Sequence, residues 1–119
     1  MSTIVLFRIV PRADVDVDAY DRAYRDMVAE VETSPGFLQI EEYVAEDSSH
    51  QLAVARFASV ADVKTWRDNP EHVKTRDRGR NEFFLSYEIT LAESGRSYGW
   101  KLDTDDPSAP PPGYYTSEY

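Results

Sequence analysis

The alternation of apolar and polar residues predicts four short strands. Residues 3–10, 37–45 and 51–57 are rich in β-branched and aromatic side chains, which is typical of strands. Residues 85–93 place Leu, Tyr, Ile and Leu at every second position, as expected for a strand with one buried face. The polar turn at residues 46–49 indicates that the second and third strands form a hairpin.

Two other segments carry the spacing of amphipathic helices. In the first segment, apolar or aromatic residues recur at spacings of three, four and seven: Val17, Tyr20, Tyr24 and Val31. An Asp-rich stretch precedes them and offers side-chain oxygens for the N-cap of the helix. The second helix should open at Ser59, which has Asp62 three residues on, as in a capping box. Its apolar stripe consists of Val60, Val63 and Trp66.

Pro70 interrupts this second helical segment. Proline lacks the backbone donor that a helix interior needs, so we expect a break or kink there. Helix should resume through His72 and Val73 towards Phe83. The predicted order of elements is therefore β-α-β-β-α-β, an α+β domain of the ferredoxin-like split type with both helices on one face of the sheet.

The strands also predict how the domain assembles. The first strand has apolar residues on both faces, Ile4, Leu6 and Val10 on one and Val5, Phe7 and Ile9 on the other. In the second strand, Leu38, Ile40 and Val44 alternate with Phe37 and Tyr43. Two helices cover only one face, and a large exposed apolar patch is typical of an interface. We expect a homodimer in which two sheets face each other.

Composition narrows the class of protein. The 119 residues suffice for one domain, and the net charge of −9 argues against a nucleic-acid partner. No cysteine is present, which excludes thiolate metal sites and fits a cytoplasmic protein. The apolar N-terminus is interrupted by Arg8 and is interpreted as a strand, and no apolar run approaches the ~20 residues of a membrane span.

The last residues differ from the rest. Residues 101–119 are acidic and proline-rich with little to bury, so we expect a C-terminal tail that is flexible or lies along a partner subunit. The domain itself should comprise residues 1–100.

Four segments resemble those of antibiotic biosynthesis monooxygenase domains: SPGFLQIEEY, RFASVADVKTWRDNPEH, RGRNEFFLSY and RSYGW. The resemblance implies a dimeric α/β barrel built on the ferredoxin-like fold. Such proteins include cofactor-free monooxygenases that act on polyketide quinols and heme-degrading oxygenases. Fold similarity alone does not choose between these activities.

The resemblance places Trp66 on the second helix beside a pocket, where it is either a pocket wall or a core anchor. His72 is a candidate general base or heme ligand, against the alternative of a surface histidine. In the heme-degrading branch the ligand histidine follows the tryptophan by nine or ten positions, which falls here on Thr75 and Arg76. That branch also carries an Asn in its first strand, which this chain lacks.

Six further residues are candidates for substrate binding. An arginine can hold a carboxylate, a phenolate or a heme propionate, and the aromatic side chains would form pocket walls. The candidates are Arg8, Tyr43, Arg76, Arg80, Phe83 and Phe84.

The resemblance, together with these residues, implies a cofactor-independent monooxygenase that oxidises a phenolic or quinol-like small molecule in secondary metabolism, with Trp66 and His72 as catalytic residues. Two alternatives remain. The protein could bind or degrade heme with His72 as iron ligand, or it could be a binding domain without catalytic activity. Apart from His72 in the heme case, no residue is expected to bind a metal.

Overall fold

The computed structural model describes residues 2–100 and Leu102, so most of the expected tail at residues 101–119 lies outside the described part of the chain. The elements follow in the order β1 Thr3–Pro11, α1 Val17–Val31, β2 Phe37–Val44, β3 Gln51–Phe57, α2 Val60–Arg67, α3 Pro70–Arg78 and β4 Phe84–Glu93. The strands form one antiparallel sheet in the order β2-β3-β1-β4. This confirms the predicted ferredoxin-like α+β fold. None of the described helices has the length and apolarity that a bilayer crossing requires.

Side-chain caps start the helices where the sequence predicts. The Asp16 carboxylate accepts the Ala19 N–H at 3.0 Å at the start of α1. At the start of α2 the Ser59 hydroxyl accepts the Asp62 N–H at 3.2 Å and donates to the Asp62 carboxylate at 2.9 Å. These bonds satisfy N–H groups that have no partner within the first helical turn.

Pro70 separates α2 from α3 because it begins a new helix. The Asn69 side chain caps α3 by accepting the Glu71 N–H at 2.8 Å, and Pro70 occupies the first turn, where its missing N–H does no harm. After α3 the chain forms a π-helical turn, Gly79–Phe83, before β4 begins. The apolar pattern did not predict this turn.

A bulge in β2 changes the predicted faces of that strand. The sequence alternation placed Phe37 and Tyr43 together, opposite Ile40. The register shifts between Phe37 and Gln39, so Phe37 packs with Ile40 against the helix-side core. The prediction for Phe37 was therefore wrong, because the extra residue at the bulge, Leu38, reverses the alternation.

The core lies between the sheet and the helices. Its centre is a cluster of buried residues from α1, β3 and α2: Val31, Ala55, Phe57, Val63 and Trp66. Gly36 closes the turn between α1 and β2 with φ +75°, and a Cβ there would collide with the Asp62 side chain. This close contact ties the start of α2 to the end of α1.

Candidate functional site

A cavity of about 250 Å³ lies between the helices and the helix-facing side of the sheet. It exists because β3, a central strand, contributes Ala53 and Ala55 where a larger residue would fill the space. Phe7 of β1, paired with Ala53, forms part of the floor. Tyr24 and Met27 of α1 line the opposite side. The lining is mostly apolar, as expected of a pocket for a small organic molecule.

The π-helical turn and the start of β4 form one aromatic wall. Phe83 is buried and packs edge-to-face with Tyr20 at 5.5 Å between ring centroids. Phe84 packs edge-to-face with Phe7 at 6.0 Å and with Tyr87 at 5.7 Å. Both Phe83 and Phe84, candidates from the sequence, line the cavity.

Trp66 and His72 lie together at another wall of the cavity. Their ring centroids are 4.5 Å apart with the planes inclined at 41°. Trp66 is 8% exposed and belongs to the core cluster while also lining the cavity. The residue is thus both core and wall. The break at Pro70 allows this arrangement, since it starts a new helix two residues before His72.

The environment of His72 favours the neutral imidazole. Burial, with a smaller contribution from the positive charge of Arg76, lowers the pKa of His72 below its ordinary value. Its Nδ1 atom is buried without a hydrogen-bond partner. His72 at neutral pH is therefore mainly a neutral imidazole.

Arg76 lies one helical turn after His72 and also lines the cavity. Its Nε atom is buried and lacks a hydrogen bond, although the Asp77 carboxylate lies 3.5 Å away. The geometry leaves that ion pair loose, so Arg76 brings positive charge to the site. Among the described residues, no group of three or more His, Asp or Glu side chains could hold a metal ion.

Arg80 stands behind the aromatic wall and does not line the cavity. Its Nε donates to the Tyr87 hydroxyl at 2.7 Å, and its guanidinium lies over the Tyr87 ring. Arg12 donates to the carbonyls of Arg80 at 2.7 Å and Phe84 at 3.2 Å. The hydrogen bonds of Arg80 and Arg12 thus stabilise the π-helical turn and the start of β4, where Phe83 and Phe84 lie.

Two sequence candidates, Tyr43 and Arg8, lie on the other face of the sheet. Tyr43 is 52% exposed and its hydroxyl donates to Glu41 at 2.9 Å. Arg8 is exposed and stands directly opposite Glu88 in β4. Neither lines the cavity. Glu42, which precedes Tyr43 in β2, interacts with Tyr24.

The sequence reading missed two cavity residues on α1, Tyr20 and Tyr24. The Tyr20 hydroxyl donates to the Gln51 side chain at 2.8 Å, and Tyr24 hydrogen-bonds Glu42. Burial, with the negative charge of Glu42, raises the pKa of Tyr20 to about 12 and raises that of Tyr24 as well. Both phenols stay protonated at neutral pH. In the sequence, their spacing of four residues predicted only that both belong to the apolar face of the first helix.

Comparison with known proteins gives one family and several similar folds. The family model described as antibiotic biosynthesis monooxygenase matches residues 3–78. YqjZ of Bacillus subtilis (strain 168), an uncharacterized protein, is 28% identical over 87 residues, which cover 73% of this chain and 75% of YqjZ.

Two solved structures show the same fold at low identity. Rv0793 from Mycobacterium tuberculosis superposes with a TM-score of 0.73 at 16% identity, covering 83% of this chain and all of Rv0793. SnoaB, a cofactor-independent oxygenase from Streptomyces nogalater, gives a TM-score of 0.70 at 11% identity, covering 81% of this chain and 95% of SnoaB.

Proposed function

Because this chain belongs to the antibiotic biosynthesis monooxygenase family, we propose that it is a cofactor-independent monooxygenase of a phenolic or quinol-type small molecule. The observation that carries the proposal is the mostly apolar cavity in which Trp66, His72 and Arg76 meet. The similar fold of SnoaB, itself a cofactor-independent oxygenase, supports it.

The reaction needs only the substrate and O₂. A phenol with a ring C–H takes up O₂, forms a quinone and releases one water, so one oxygen atom enters the ring and the other leaves as water. The substrate anion supplies the electrons, and a dry pocket protects the intermediates from water. The apolar and aromatic lining, including Trp66, Phe83 and Phe84, meets that demand.

His72 and Arg76 would act together on the acidic oxygen of the substrate. Nδ1 of His72 is packed away, so Nε2 is the nitrogen that exchanges a proton with the substrate. Accepting a proton there creates a buried imidazolium, which burial and the positive charge of Arg76 disfavour by lowering the pKa of His72. His72 is thus a weak base, and the positive charge of Arg76 must stabilise the substrate anion. The site suits phenols that are already acidic.

The opposite face of the sheet would serve dimer formation. It carries the half-buried Ile4 and Leu6, together with the exposed Tyr43 and Arg8. A second copy covering this face would bury these apolar side chains. We assign Tyr43 and Arg8 to this interface, and the catalytic domain to residues 1–100.

Oxygen consumption tests the proposal. Chelator-treated protein, free of added flavin or metal, should consume O₂ with a panel of acidic phenols and quinols. His72→Gln should lower the rate by about 10²-fold for a phenol that is not yet ionised, the range of a lost proton-transfer group, and Trp66→Phe should lower the rate because Trp66 is part of the wall that keeps water out. Trp100→Phe and His50→Gln are matched controls at positions outside the cavity. Equal rates in all four variants would refute the site assignment.

Heme is the second candidate ligand, favoured by the neutral imidazole of His72 in the cavity. His72 would supply the iron ligand and Arg76 could pair with a propionate, and the bound heme would supply redox chemistry. Hemin should then shift its Soret band on addition of the protein, and His72→Ala should abolish the shift. A shift that His72→Ala leaves intact would exclude this role of His72. Ligand binding without turnover would favour a non-catalytic binding domain.

A further inference from the structure

The charged side chains that line the cavity are all positive among residues 2–100 and Leu102, which the structure describes. They are Lys64, Arg67 and Arg76, and no Asp or Glu of the described part of the chain is among the lining residues. The whole chain carries a net charge of −9, so this local excess of cations opposes the overall charge. A cavity lined by one sign of charge attracts ligands of the other sign.

The three cations lie on one side of the cavity. Lys64 and Arg67 are three residues apart on α2, a spacing that puts them on the same helix face. Both line the cavity and are exposed, as expected of long cations that pack their stems on apolar surface and keep their charged ends in water. We call the part of the cavity lined by Lys64, Arg67 and Arg76 its mouth.

Asp68 lies next to Arg67 in sequence and is influenced by the charges of both Arg67 and Arg76. The hydrogen bond from Arg67 at 3.1 Å lowers the pKa of the Asp68 carboxyl, and the charges of Arg67 and Arg76 lower it further. Both guanidinium groups therefore act on one carboxylate. The Arg67–Asp68 pair is exposed, with 60% and 68% of the two side chains accessible, and exposed pairs exchange partners easily.

We propose that the substrate is an aromatic carboxylic acid whose ionised group lies at the mouth formed by Lys64, Arg67 and Arg76. Its ring would occupy the apolar cavity beside Trp66, and Asp68 would be displaced from Arg67 as the ligand's carboxylate binds. This inference rests on the proposed function, since it names the substrate class of the same cavity. It adds Lys64 and Arg67 as specificity residues.

Calorimetric titration with 2-naphthoate and its neutral analogue 2-naphthamide tests the inference. The acid should bind about tenfold more tightly than the amide at low salt, and the difference should shrink in ~1 M NaCl because salt screens exposed charges. Lys64→Gln and Arg67→Gln should each weaken binding of the acid by about two- to fivefold and leave the amide unchanged. Asp68→Asn should tighten the acid by a similar factor, since it removes the competing carboxylate.

Arg78→Gln is the matched control. Arg78 lies outside the cavity lining and pairs with Glu82, so its loss should not change the affinity for the acid. The inference is overturned if the protein binds acid and amide equally well or binds neither. It is also overturned if Arg78→Gln weakens binding of the acid as much as Arg67→Gln does. Oxygen uptake reports separately on the proposed function: uptake that depends on Trp66 without any acid preference overturns only the inference. A clear acid preference without any uptake supports the inference and overturns the oxygenase.

Discussion

Gly79 allows the aromatic wall of the cavity to form, and Gly79→Ala should disturb it. A Cβ at this position would lie 2.9 Å from Cζ of Phe84 and closer still to Cε2. Carbon atoms normally approach to about 3.5–4.0 Å, so the ring of Phe84 has to move. That ring packs against Phe7, Tyr20 and Tyr87, and its displacement therefore loosens the whole wall.

Two opposing effects set the magnitude of this substitution. Gly79 has helical backbone angles, φ −58° and ψ −46°, so alanine causes no backbone strain and could gain about 1 kcal/mol of helix propensity. Overpacking of a core position costs about 1–3 kcal/mol. The difference predicts a net loss of about 1 kcal/mol in the free energy of unfolding, or roughly 4 °C in Tm.

A double-mutant cycle with Phe84→Leu isolates the clash. Leucine is shorter than phenylalanine and removes the atoms that the new Cβ would meet, so the two substitutions together should be about 1 kcal/mol less destabilising than the sum of the single effects. Urea denaturation of the four proteins gives the coupling energy. Stabilisation by Gly79→Ala, together with additive effects, would refute the packing account and leave helix propensity as the dominant effect.

Three further predictions concern the same cavity. The pKa of His72 is lower in the folded protein than the ~6.5 of an unfolded chain, so the unfolded state binds more protons below that pH. The free energy of unfolding should then fall as the pH drops below ~6.5, by at most about 1.4 kcal/mol per pH unit. In urea titrations at several pH values, His72→Gln should remove this pH dependence and His50→Gln should retain it. Ala53→Leu should fill the cavity and abolish ligand binding while the protein remains folded by circular dichroism; unchanged binding would place the ligand elsewhere. Tyr20→Phe removes the donor to Gln51 and should lower the free energy of unfolding by about 1 kcal/mol in urea titrations, whereas an unchanged value would mean that water replaces the bond.

Local signals made most of the fold predictable. Asp16 and Ser59 each cap a helix by accepting the backbone N–H of the residue three positions later. Pro70 lacks an N–H, so it can start α3 but cannot continue α2. Such effects depend on neighbours in sequence. The order of strands and helices then leaves few topologies open, and the ferredoxin-like prediction was confirmed.

The features that sequence reasoning missed depend on contacts between distant elements. The bulge that places Phe37 with Ile40 arises from the pairing of β2 with β3. The cavity arises because Ala53 and Ala55 face α1 and α2 across the layer, and no local pattern reports an unfilled volume. Tyr43 was placed in the pocket because its residue type suited a wall, while its position in β2 puts it on the other face.

Trp66 and His72 come together through two short helices and the proline between them. Their ring contact of 4.5 Å spans six residues of sequence, and the apolar periodicity of the helices did not predict it. Lys64 and Arg67 lie near Trp66 in sequence, but the third cation that lines the cavity, Arg76, belongs to α3. The proposed carboxylate site therefore depends on how α2 and α3 pack, which the sequence pattern did not predict.

The fate of isotopically labelled O₂ in chelator-treated protein supplied with an acidic phenol tests most directly whether the cavity oxidises its substrate unaided. Unaided oxidation should give a quinone with one labelled oxygen atom and the second label in water, and this product should be lost in Trp66→Phe and His72→Gln but not in Trp100→Phe. A product without label, or one formed only after a metal, flavin or hemin is added, would contradict the claim that this cavity oxidises its substrate unaided.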